Sequence, residues 1–98
     1  MFNKLKQIKD LRDQAKELQG QLGQETVSTS SEEGKINLVM DGNQQVVGLE
    51  IDPQLLNIEQ KETLERGLKE AYNEAVKKVQ RIIAQKIQGG NFNLPNIG

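Results

Sequence analysis

Apolar residues change their spacing twice along this chain, and each change marks a new kind of element. Over residues 2–22 they fall at Leu5, Ile8, Leu11, Ala15, Leu18 and Leu22, three and four apart, which places one stripe on a helix. Gly20 and Gly23 weaken its end, so the helix is predicted to stop near Leu22. Then the period drops to two. Residues 26–31 are β-branched and hydroxyl-rich, residues 35–41 put Ile36, Leu38 and Met40 on one face, and residues 44–52 do the same with Val47, Leu49 and Ile51. A two-residue loop at Gly42-Asn43 would set Leu38 opposite Val47 and Ile36 opposite Leu49, whereas a loop at Asp41-Gly42 would oppose Leu38 to Gln45. The first register makes the apolar sides coincide. Folding back through Ser31-Glu32-Glu33-Gly34 then sets Val27 opposite Leu38, giving an antiparallel meander with one buried face and a small patch, Val39 beside Val46, on the other.

Pro53 has no amide hydrogen to give to a ladder and ends the third strand. Residues 54–56 read as a turn, and Asn57 with Gln60 three positions on fits a capping box. From Ile58 the stripe Leu64, Leu68, Ala71, Tyr72, Ala75, Val79, Ile82, Ile83, Ile87 runs to Gly89-Gly90. The prediction is an α+β domain over residues 1–88, an α-β-β-β-α subunit with a three-stranded meander flanked by two long amphipathic helices. Residues 89–98, Asn-rich and interrupted by Pro95, are expected to form a flexible tail.

One copy cannot bury all of this. A helix over residues 58–88 would be about 45 Å long, against a radius of gyration of about 13 Å for a compact chain of this size. Its apolar stripe continues to the end, and the meander leaves an unprotected edge. Both features predict a homodimer. Val39 and Val46 on the sheet and Tyr72, Val79 and Ile83 on the helix stripe are the candidate interface residues. Gly67, in mid-helix, disfavours helix by about 1 kcal/mol relative to Ala, which close approach of a neighbouring element would explain.

The formal net charge is −1 and the pI about 5.5, unlike the basic balance usual in nucleic-acid binders. The average conceals a segregation. Residues 1–22 carry five basic groups against three acidic, residues 25–52 one against six, and residues 59–88 seven against five. Within the second helix Glu59, Glu62, Glu65, Glu70 and Glu74 occupy the first half, and Lys77, Lys78, Arg81 and Lys86 the second. Contact with DNA would therefore use helix surfaces: Lys4, Lys6, Lys9, Arg12 and Lys16 on the first helix, and Lys77, Lys78, Arg81 and Lys86 on the second. Each set has a plainer reading. Lysines on the outer side of an amphipathic helix are ordinarily a solvated face, and cations in the last turns of a helix are favoured by its dipole. Lys77 and Lys78 lie more than two turns from the end, beyond the reach of that effect. With three arginines and no aromatic among the lysines, there is little for base reading or base stacking, so weak sequence preference is expected.

Catalysis has few resources here. The chain has no histidine and no cysteine, so the commonest general base, thiolate ligands and disulfides are all missing. Glu50 and Asp52 share a strand face, but two carboxylates are too few for a hard-cation site, and a solvated face is the simpler reading. No metal, cofactor or small-molecule substrate is expected. The sequence has no run long enough to span a bilayer and no secretory pattern at its start, so a cytoplasmic protein is expected.

The run Val47-Gly48-Leu49-Glu50-Ile51-Asp52-Pro53-Gln54-Leu55-Leu56, followed by Ala71-Tyr72-Asn73-Glu74-Ala75, resembles the signature of the YbaB/EbfC family of nucleoid-associated proteins. The similarity extends to the order of elements over nearly the whole chain. It implies a small non-enzymatic homodimer that binds duplex DNA with its projecting helical arms, associates with the nucleoid and affects chromosome organisation or transcription. It does not assign individual contact residues. The competing reading is a dimeric helical adaptor that grips another protein and binds DNA little.

Overall fold

The computed structural model describes residues 2–88, with side chains from residue 6 onward. The expected tail at 89–98 and the side chain of Lys4 lie outside the described residues. Helix α1 (Phe2–Gln24) leads into strands β1 (Thr26–Ser31), β2 (Ile36–Asp41) and β3 (Val46–Ile51), two 3₁₀ turns (Pro53–Leu55 and Ile58–Gln60) and helix α2 (Lys61–Gln88). The α-β-β-β-α order and the antiparallel sheet, β1-β2-β3, are those the sequence predicts.

Helix α1 outlasts the predicted stop because the β2–β3 turn caps it. The Gly42 amide donates to the carbonyls of Leu22 (2.8 Å) and Glu25 (2.9 Å), and Asn43 Nδ2 donates to the Gln19 carbonyl (2.9 Å). Leu22 is among the last residues of α1, where carbonyls lack the full helical partner, so the Gly42 amide joins the Glu25 amide (3.1 Å) on its carbonyl, and the three contacts fix α1 to the sheet. Gly42 is required for space, since a Cβ there would overlap the Leu22 carbonyl.

The register differs from the predicted one. The β2–β3 loop has three residues: Asp41 and Gln45 close it (Asp41 N to Gln45 O, 2.9 Å), and Gln44 takes the left-handed conformation at φ 61°. Asp41 Oδ1 accepts from the amides of Asn43 (2.8 Å) and Gln45 (3.0 Å), which holds the turn open by that residue. A bulge then adds a second one. Met40 pairs with Val46, but Val39 pairs with Gly48, leaving Val47 without a partner on β2. The two insertions total two residues, so Leu38 faces Leu49 and Ile36 faces Ile51, not Val47 and Leu49. Side-chain period is two, so Leu49 and Ile51 keep the predicted side, but Val47, predicted to face inward with them, sits at the bulge and is exposed. The supposed Val39–Val46 pair is broken by the same bulge. On the other side Val27 pairs with Met40 and Thr29 with Leu38, again two residues from the predicted pairing of Val27 with Leu38.

Helix α2 lies over β1 and β2 and runs antiparallel to β1. Ser31 Oγ donates to the Gly67 carbonyl (2.6 Å) and Thr29 Oγ1 to the Ala71 carbonyl (2.9 Å). Two strand residues rise about 6.6 Å and four helix residues about 6 Å, so the rungs stay in step. The close approach uses Gly67, Ala71 and Ala75, all buried. Beneath them Val27, Ile36, Leu38, Met40, Leu55 and Val79 complete the core. Asn57 caps the second 3₁₀ turn, its Oδ1 accepting from the Gln60 amide (2.9 Å), as the capping pattern predicts. The resulting molecule is extended, 64 × 25 × 20 Å with a radius of gyration of 18.5 Å.

Candidate nucleic-acid interface

The basic residues of α1 sort by angle. At about 100° per residue, Lys9, Arg12 and Lys16 share one stripe beside the apolar positions Ile8 and Leu11. Lys6 falls on the next stripe with Asp10, Asp13 and Glu17. All seven are exposed, and no ion pair is recorded for them among the described residues. The helix therefore presents a row of three like charges flanked by a row that is net acidic. A phosphate backbone can use the first row and is repelled by the second.

The four cations of α2 are not equivalent. Lys77 and Arg81, one helical turn apart, are exposed and project together. Lys78 Nζ donates to the Ser28 carbonyl at the outer strand (2.9 Å), which anchors its stem over β1 and leaves two ammonium protons. Lys86 Nζ meets Glu25 Oε1 at 2.7 Å, an acid from the α1–β1 junction that spacing within α2 could not show. The segregation seen in sequence is thus partly offset by a contact distant along the chain.

Of the candidate interface residues, Tyr72 and Val46 are exposed and Ile83 and Val39 half-buried, while Val79 is fully enclosed by its own subunit. Tyr72, Val76 and Ile83 lie on the flank of α2 away from Lys78. Because Lys78 reaches β1, that flank leans toward β3, where Leu49 is 50% exposed on the helix-side face. Glu50 is exposed, and Asp52 serves the chain turn, its Oδ1 accepting from the Gln54 amide (2.8 Å). Among the described residues no group of acids is arranged to hold a metal, and no helix is long and apolar enough to cross a membrane.

Residues 1–92 match the model of the YbaB/EbfC DNA-binding family. The chain belongs to that family. A nucleoid-associated protein of Pelotomaculum thermopropionicum is 32% identical across 99% of this chain and 94% of its own length. One from Caldanaerobacter subterraneus is 33% identical across 97% of this chain and 87% of its own. The fold is also that of a crystal structure of an uncharacterized Helicobacter pylori protein, with a TM-score of 0.64 at 23% identity over 80% of this chain and 90% of that one. The family is a DNA-binding one, and the Pelotomaculum and Caldanaerobacter relatives are both named nucleoid-associated proteins.

Proposed function

We propose that this YbaB/EbfC member acts as a homodimer that binds duplex DNA along basic helix surfaces with weak sequence preference, and so contributes to chromosome organisation and gene regulation. The observation that carries the reading is the exposed row Lys9, Arg12 and Lys16 on a helix tied to the sheet near its C-terminal end, together with exposed Lys77 and Arg81 on α2. Such groups serve phosphate contact, which positions a protein without reading bases. Dimerisation is supported by the apolar surface that one copy leaves open between α2 and β3: Val46, Leu49 and Tyr72 exposed, Ile83 half-buried, with Val39 on the opposite sheet face and Val79 beneath. A second copy covering it would double the number of cations available to one duplex.

Fluorescence anisotropy of a random-sequence duplex across a salt series tests the DNA reading, with the Lys77→Glu, Arg81→Glu double variant alongside. Binding should weaken steeply with salt and be weaker in the variant at every salt concentration. Absence of binding even at low salt would sink it and favour the adaptor reading, for which a protein partner retained at high salt is the signature.

A further inference from the structure

The molecule has two chemically opposite ends. Helix α1 is seated at the end of the sheet holding the β2–β3 turn, with the Lys86–Glu25 pair beside it. The 3₁₀ turns and the start of α2 lie at the other end, where the Asp52 amide bonds the Lys35 carbonyl and Gly67 meets Ser31. At this second end Ile58 is 92% and Leu56 62% exposed, far more than large aliphatic side chains need to be. Glu59 and Glu62 stand exposed beside them with no ion pair among the described residues, whereas neighbouring Lys61 is paired with Glu65. At the α1 end Ile8 is 55% and Leu11 42% exposed, and the flanking groups are Lys9, Arg12 and Lys16.

We propose that the apolar, acidic tip at Leu56, Ile58, Glu59 and Glu62 docks on the apolar, basic stripe of α1 in a second copy, joining copies head to tail. The two surfaces match in kind, aliphatic against aliphatic and carboxylate against ammonium or guanidinium, and each explains why the other is left uncovered. They are different patches, so the contact is heterologous, and every copy added leaves one tip and one arm free to continue. The α2–β3 surface of the dimer is separate from both. The proposal rests on that dimer only for the size of the repeating unit. Because phosphates and the acidic tip would use the same Lys9, Arg12 and Lys16, saturating duplex DNA weakens the head-to-tail contact.

Sedimentation velocity of the full chain, over a range of concentrations at low and high salt, tests this. Wild type at low salt should form species larger than a dimer that grow with concentration and shrink when salt screens the exposed charges. The Glu59→Lys, Glu62→Lys variant and the Lys9→Glu, Arg12→Glu variant should each lose them, and a mixture of the two should regain them, since a basic tip then meets an acidic arm. Ile58→Ser should lose them with no change of charge. All five positions are exposed, and circular dichroism confirms that the variants fold. A wild type that stops at the dimer under every condition, or a tip variant that assembles like wild type, overturns the proposal. Growth in steps of one subunit would instead retain the head-to-tail contact and reject the dimer.

Discussion

Ser31 Oγ donates a 2.6 Å hydrogen bond to the carbonyl of Gly67, in the middle of α2. A side chain on a strand reaches a helix backbone where the facing helix residues are small, and Gly67 is the smallest of them. Thr29 repeats the contact one turn on, with Ala71. These rungs set how high α2 rides over the sheet, and hence which of its flanks remains open beside β3.

Gly67→Ala should therefore destabilise the protein, against the usual gain of about 1 kcal/mol for Gly to Ala in a helix. A Cβ at this position would lie 2.6 Å from both Ile36 Cδ1 and Glu32 Cγ, and Ile36 is fully buried with nowhere to move. We expect a net loss of about 1–3 kcal/mol, the usual range for overpacking, read as a lower urea midpoint at unchanged m-value. Adding Ile36→Val removes the obstructing methyl and should recover part of the loss. A Gly67→Ala protein as stable as wild type would show that the helix can lift without penalty.

Gly42→Ala should release α1 while leaving the sheet intact. The new methyl would overlap the Leu22 carbonyl, displacing the Gly42 amide from Leu22 and Glu25. Each lost bond to a helix-end carbonyl corresponds to about 1 kcal/mol. Hydrogen exchange by NMR should show faster exchange throughout α1 with β1, β2 and α2 little changed. Uniform acceleration would mean that α1 is integral to the core.

The β1–β2 turn contains avoidable strain. Glu32 and Glu33 are both left-handed, at φ 51° and 58°, and the Gly34 amide closes the turn on the Ser31 carbonyl (3.1 Å). Residues other than Gly disfavour this conformation by about 1 kcal/mol or more. Glu32 has a reason to stay, since its carboxylate meets Arg66 at 3.5 Å, but Glu33 is exposed. Glu33→Gly should raise stability by about 0.5–1 kcal/mol, after allowing for the greater freedom of Gly in the unfolded chain. Thermal denaturation reads it as a higher Tm, and a lower Tm would contradict the argument.

Much of this architecture is legible in the spacing of apolar residues. Leu38 and Ile36 announce a strand facing inward, and the stripe from Leu64 to Ile87 announces α2. Register was less legible because the left-handed Gln44 and the bulge at Val47 each insert one residue without altering the alternation that a reader sees. Their sum preserves the faces of Leu49 and Ile51, but between the two insertions Val46 turns to the helix side opposite Met40, and Val47 is left exposed at the bulge. Gly67, Ala71 and Ala75 contribute almost no hydrophobic signal, yet they are the surface on which the helix rests. The candidate interface suffered similarly. Charge runs located the basic helices, but only the fold shows that Glu25 reaches Lys86 and that β1 holds Lys78.

That difference among the cations of α2 should appear in DNA binding. Each phosphate neutralised on duplex DNA contributes about −0.9 to the slope of log affinity against log salt. Replacing Lys77 and Arg81 together by Gln should make the slope shallower by up to about 1.8 per subunit, since both groups are exposed. Lys86→Gln removes the same formal charge but mainly unpairs Glu25, whose carboxylate lies 2.7 Å away. Its slope should stay near that of wild type, while stability falls by about 1 kcal/mol or less, as is usual for a partly exposed ion pair. Anisotropy titrations at four or more salt concentrations separate the two outcomes. If Lys86→Gln flattens the slope as much as the double variant does, Lys86 leaves Glu25 for phosphate on binding, and the duplex reaches the junction between α1 and β1.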